Sequence, residues 1–187
     1  GAGAGAPGQE FDGEPVEARD DRGITWRGVR LSTRPQKREL RDIAVQIDLL
    51  TVGGSNVLKY IYRLTNLRAT EQTVLAGNIV TAALGATPDA LVLWGENVRQ
   101  EPGPFSAWID NQRWGALTHE PTGRTLIMVG KQSNVVLNNT GKDGNTLSAM
   151  QTVRLSGHET CELVWYLALV DDDEMARRYL VLRDVEG

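Results

Sequence analysis

Cysteine is almost absent from this chain. Cys161 is the single copy in 187 residues, so no disulfide can form within it. Its place in an apolar run, between Thr160 and Glu162, suits a buried thiol better than a nucleophile. Histidine is nearly as scarce, with only His119 and His158, and no Cys/His spacing of a zinc site occurs. Each histidine is followed directly by a glutamate. Neighbours on a strand point to opposite faces, so neither pair is placed to work as an acid–base couple. No run approaches the roughly 18 apolar residues that a membrane-spanning helix needs. Basic residues are dispersed in a chain of formal net charge −4, and the densest group, Arg34 to Arg41, is interrupted by Glu39. A phosphate backbone requires a stronger basic surface, so no nucleic acid partner is expected. The Gly-x-Ser-x-Gly elbow, the Walker glycine loop and the dinucleotide fingerprint are missing as well. Asp20-Asp21 and Asp171 to Glu174 lack the spaced ligands and glycine of a calcium loop, and Asn139 to Asn145 reads as a polar turn. No metal and no cofactor are expected.

What is present suits one domain with a tail. A chain of this length buries roughly 70% of its unfolded surface, enough to hold a fold without covalent staples. Gly1 to Gly8 alternates glycine with alanine, and Gln9 to Gly23 is acidic and punctuated by Gly13 and Pro15. Residues 1–23 therefore read as an N-terminal extension, either flexible or docked on a partner, with the domain running over 24–187. The first residue is not Met, so the chain reads as processed or trimmed.

From Ile24 onward the pattern alternates strand and turn. Ile43, Val45, Ile47 and Leu49 alternate with Ala44, Gln46 and Asp48, the two-residue period of a half-buried strand. Gly53-Gly54-Ser55-Asn56 supplies turn chemistry, and Leu58, Tyr60, Tyr62 and Leu64 resume the period, which predicts a hairpin. Further strands are expected within Glu71 to Leu84, at Ala90 to Trp94, Arg113 to Thr118, Thr125 to Val129, Asn134 to Leu137, Leu147 to Leu155, Glu162 to Val170 and Tyr179 to Arg183. Asn138 to Asn145 is expected as a loop, and Asp171 to Arg177 as one helical turn. About ten short strands with little helix predict an all-β fold, an antiparallel β-sandwich or supersandwich.

Three stretches together resemble the galactose mutarotase-like supersandwich domains of aldose epimerases and polysaccharide-active enzymes. They are Leu58 to Leu67, which ends in Tyr62-Arg63-Leu64-Thr65-Asn66; Trp108 through Trp114 to Ile127; and Val153 to Glu159, leading into Leu163 to Leu167. The resemblance spans roughly Ile24 to Arg183 and implies a compact or partial version of that fold. The epimerases resembled use a histidine and a carboxylate in a sugar pocket, and neither His119 nor His158 has the Asn/Thr-rich surroundings expected of that activity.

Three of the five tryptophans fall between Trp94 and Glu120. An indole face covers the C–H face of a sugar, while carboxylates, amides and arginine bond its hydroxyls. Trp94, Trp108, Asp110, Asn111, Gln112 and Trp114 are therefore the candidate carbohydrate-binding residues. Core packing is the competing assignment for Trp94 and Trp114, which sit inside strand-like runs. The expected function is a non-catalytic β domain, secreted or at the cell surface, that binds or accompanies carbohydrate. The alternative is a structural subunit of an extracellular assembly, a homo-oligomer joined through residues 1–23 by strand addition. A small sugar epimerase or lyase is the third reading.

Overall fold

The computed structural model describes residues 10–35, 40–81, 84, 91–95, 98–101, 107–131, 134–139 and 145–171. The fold is all-β, as the alternating sequence requires. Among the described residues thirteen strands form a nine-stranded and a four-stranded antiparallel sheet, with one 3-10 turn at Glu120–Thr122. The chain divides into two compact units. Unit 1 comprises Gly1–Ala76 with Thr152–Val164, and unit 2 comprises Gly77–Gln151 with Trp165–Gly187.

Unit 1 contains β1 (Asp12–Arg19), β2 (Thr25–Thr33), β3 (Ile43–Thr51) and β4 (Val57–Asn66) as consecutive antiparallel neighbours. The expected hairpin is β3–β4, registered from Ile43 opposite Asn66 to Thr51 opposite Leu58. Its turn places Gly54 at φ 77°, a left-handed conformation that glycine adopts without strain. One face of this four-strand array is apolar, with Ile43, Val45, Ile47 and Leu64 buried. The opposite face is mixed, with Leu50 and Ile61 buried on the side of Asp48, and its polar part carries the candidate site described below.

Residues 12–19, assigned above to the extension, are instead β1, paired along their length with β2. The acidic, proline-containing stretch has no apolar period of its own, and pairing with β2 overrides its weak strand propensity. Asp20 then shapes the β1–β2 turn. Its carboxylate accepts hydrogen bonds from the backbone N–H of Arg22 (3.0 Å) and Ile24 (2.8 Å) and from the indole N–H of buried Trp26 (3.0 Å). Residues 1–9 lie outside the described residues.

Unit 2 contains β6 (Val92–Gly95), β7 (Arg99–Gln100), β8 (Ala107–Gln112), β9 (Trp114–His119), β10 (Arg124–Gly130) and β11 (Asn134–Asn139). Leu91, Leu93, Leu117, Ile127, Leu147 and Trp165 are fully buried and make its core. The remaining strands are β5 (Gln72–Thr81), β12 (Asn145–Leu155) and β13 (Thr160–Val170). The helix/strand ambiguity of Glu71 to Leu84 resolves to β5, whose side chains alternate exposed and buried from Thr73 to Ala76.

Two points of the sequence reading are corrected here. Asn138 to Asn145 is not all loop, because Asn138 pairs with Thr146 and Asn139 with Asn145, extending the β11–β12 ladder. β8 is a strand that the sequence reading did not include, since Asp110 and Asn111 disfavour strands in isolation, and it pairs with β11. The expected helical turn and last strand, beyond Asp171, fall outside the described residues.

Candidate functional site

The strand registers of unit 1 align polar side chains from distant parts of the sequence. Asp12 lies opposite Ser32, Ser32 opposite Gln46, and Gln46 opposite Arg63. At about 4.8 Å between neighbouring strands, this row crosses four strands and runs about 14 Å. The row lies in an open groove of about 800 Å³, also lined by Phe11, Thr65 and Thr160. Gln46 Nε2 reaches Ser32 Oγ at 3.5 Å, and the hydroxyls of Thr65 and Thr160 bond each other at 2.8 Å. The groove thus presents an aromatic ring at one end and a line of amide, hydroxyl, carboxylate and guanidinium groups along its floor.

Next to this row an ion-pair network holds the floor rigid. Asp48 is 1% exposed and takes three charge-assisted hydrogen bonds. Two come from Arg30, Nε to Oδ1 at 2.7 Å and Nη2 to Oδ2 at 2.9 Å, and one from Arg63, Nη1 to Oδ2 at 2.5 Å. Arg63 Nε also donates to Glu162 at 2.9 Å. Its guanidinium is therefore oriented by two carboxylates, while Nη2 has no partner among the described residues. Burial pushes the Asp48 carboxyl up, but the bonds from Arg30 and Arg63 overcome that and hold it below the ordinary value. The bond to Asp48 likewise raises Arg30.

Asp48→Asn should cost about 3 kcal/mol, measured by urea unfolding at neutral pH. That is the low end of the roughly 3–5 kcal/mol for breaking a buried pair. Both arginines keep 27% of their side chains exposed, so water partly replaces the lost partner. The contribution of Asp48 is fully present above the unfolded carboxyl value of about 3.9 and is lost as pH falls through the lower folded value. The variant should therefore lose less of its remaining stability than the parent on acidification below about pH 4.

The candidate residues found by sequence are placed elsewhere and are divided. Trp94 is on β6 and Trp114 on β9, adjacent strands of the nine-stranded sheet. Their rings meet edge to face, 5.7 Å between centroids at 77°. The Trp94 indole N–H donates to Thr118 at 3.0 Å, and the Arg99 guanidinium lies over its ring at 5.7 Å, itself paired to Glu101 and Glu120. Both tryptophans are half-buried, and Trp94 is contacted by Trp114, Thr118 and Arg99. Trp108, Asp110, Asn111 and Gln112 are on β8, at the edge of the four-stranded sheet, and Gln112 is buried. Trp108 and Asn138 are register partners. His119 bonds Thr122 at 2.9 Å, and His158 is exposed on the β12–β13 turn. The Cys161 thiol is half-buried, and burial, followed by Glu159 and Glu162, pushes it up, away from the thiolate that a nucleophile needs.

The groove residues were missed because they come from four strands, and no short window contains them. The available signal was the alternation itself. Gln46, Asp48 and Arg63 occupy the polar positions of the predicted hairpin, and antiparallel register brings them together.

No protein-family model matches the chain, and no curated protein matches it in sequence. Solved structures do match. The chain is similar to a galactose mutarotase-like protein from Lactobacillus casei, with a TM-score of 0.54 and 9% identity, over 87% of this chain and 74% of that one. It is similar to the α-galactosidase AgaB from Geobacillus stearothermophilus, with a TM-score of 0.59 and 11% identity, over 87% of this chain and 28% of that one. It is also similar to the α-N-acetylgalactosaminidase NagBb from Bifidobacterium bifidum, with a TM-score of 0.58 and 13% identity, over 95% of this chain and 31% of that one. The likeness is one of fold, an antiparallel β-sandwich of the kind these proteins contain. The chain spans less than a third of the length of the two glycosidases.

Proposed function

We propose that this chain is a non-catalytic carbohydrate-binding β domain whose ligand lies along the unit 1 groove. The observation that carries the reading is the row Asp12, Ser32, Gln46 and Arg63, registered across four strands beside Phe11. An oligosaccharide offers hydroxyls at regular intervals along one edge and C–H faces for an aromatic ring, and the groove supplies the complement of both. The fold shared with carbohydrate-related proteins agrees with it. The non-catalytic part of the reading is supported by Asp48 and Glu162, the acids nearest Arg63. Both are tied to arginine and so are poorly placed to shuttle protons. An extended glycan ligand also fits a secreted or surface location, which fractionation of the native source would test.

Calorimetric titration with raffinose and longer α-galactosides is the direct test, after the α-galactosidase likeness. Gln46→Ala and Ser32→Ala should each weaken binding about 3–10-fold, the equivalent of one net hydrogen bond, with little change in stability. Trp108→Ala should leave affinity unchanged. Loss of binding in Trp108→Ala with Gln46→Ala intact would move the ligand to the tryptophan window instead.

A further inference from the structure

We propose that the sugar bound in the unit 1 groove carries a protonated amine, so that the ligand is an oligosaccharide of amino sugars. The inference rests on the groove reading above and specifies its ligand. Asp12 opens the polar row on β1 and is exposed. Its carboxylate has no hydrogen-bond or ion-pair partner among the described residues. The charges deeper in the sheet are matched. Arg63 is held by Asp48 and Glu162, and Arg30 by Asp48, with Glu14 at 4.0 Å. Glu10 and Arg34 lie on the groove wall. Five carboxylates, Asp12 included, thus stand against three guanidinium groups, a local excess of two negative charges. A uronic acid or a sulfated sugar meets that field unfavourably, whereas an ammonium group gains from it.

The position of the amine follows from what stands beside Asp12. Phe11 lines the same groove. A carboxylate and an aromatic ring both attract an ammonium group, one by its charge and the other through the negative face of the ring. Thr33 Oγ1 donates to the carbonyl of Glu10 at 2.7 Å, which ties the backbone leading into Phe11 and Asp12 to β2. The other end of the row has the opposite chemistry. Arg63 offers only donors there, suited to a ring or hydroxyl oxygen. The row therefore has a direction, with the amine at the β1 end and oxygen acceptors at the β4 end.

Calorimetric titration of the full chain at about pH 6 and low salt is the test, with amines protonated and carboxylates ionised. The probes are the tetramers of glucosamine and of galactosamine, each beside its N-acetylated form, which lacks the charge. The amine form of at least one pair should bind about fivefold tighter, the upper range for one exposed ion pair. That advantage should fade by about 0.5 M salt. Asp12→Asn should bring the ratio to about one. Glu17→Gln removes the same charge from the opposite face of β1, where Glu17 pairs with Arg27, and should leave the ratio as it was. Equal binding of the two forms overturns the amine assignment and leaves the groove reading standing. So does a ratio that survives Asp12→Asn, or one that Glu17→Gln lowers equally. If raffinose binds and no tetramer does, the amine assignment falls alone; if no sugar binds, the groove reading falls with it.

Discussion

Asn66→Asp is expected to remove a large part of the stability at neutral pH. Asn66 is fully buried, and its side chain is saturated by its neighbours. Nδ2 donates to the carbonyls of Thr70 (2.8 Å), Leu155 (3.1 Å) and Ser156 (2.9 Å), while Oδ1 accepts from Arg68 N (2.9 Å) and Gln72 Nε2 (2.8 Å). One amide thereby joins the end of β4, the start of β5 and the end of β12, all within unit 1. Aspartate keeps the acceptor and replaces the donor with a second oxygen facing three carbonyl oxygens. It buries a charge without a counter-ion, which costs far more than one lost hydrogen bond. A penalty of about 4 kcal/mol or more is expected, against a total stability of roughly 5–15 kcal/mol. The defect should ease on acidification, because a protonated carboxyl regains one donor. Urea unfolding at about pH 7 and pH 4 reads both effects, and a midpoint within error of the parent at pH 7 would remove this amide from its structural role.

Gly28→Ala should be comparably damaging for a steric reason. A Cβ at position 28 would lie 1.8 Å from the carbonyl oxygen of Leu49 and 2.9 Å from its carbonyl carbon. Both are backbone atoms of the paired strand β3, so no rotamer change relieves the overlap, and β2 and β3 must separate. A loss of about 4 kcal/mol is expected, which for a chain of this size lowers Tm by about 8–16 °C. Gly53→Ala is the matched control. Nothing lies within 4 Å of its added carbon, and the change should stay within about 0.5 kcal/mol. Scanning calorimetry on the pair separates close packing from glycine's general effect on the unfolded chain.

These two residues also show what was legible beforehand. Asn66 ends the Tyr-x-Leu-Thr-Asn phrase on which the resemblance to mutarotase-like domains was drawn, and its bonds explain why such a strand ends in an amide. The β3–β4 hairpin was readable because one face is buried and every second residue must be apolar. β1 was not readable, because an edge strand whose exposed residues are charged borrows its conformation from β2. The groove was hidden for a related reason: its floor is a row across strands, and only register assembles it. The tryptophan window was conspicuous by composition, yet Trp94 and Trp114 spend their rings on each other, on Thr118 and on Arg99.

Unit 1 takes its strands from both sides of the segment Gly77–Gln151, and this orders events on the ribosome. β4 lies between β3 and β13 in the sheet, and the Arg63–Glu162 bond that joins β4 to β13 spans 99 positions. At about 5–20 residues per second, β4 emerges roughly 5–20 s before the strand that covers its edge. During that interval the nascent chain carries an uncapped hairpin with Leu58, Tyr60, Tyr62 and Leu64 along one side. Slower translation between β4 and β13 lengthens that exposure.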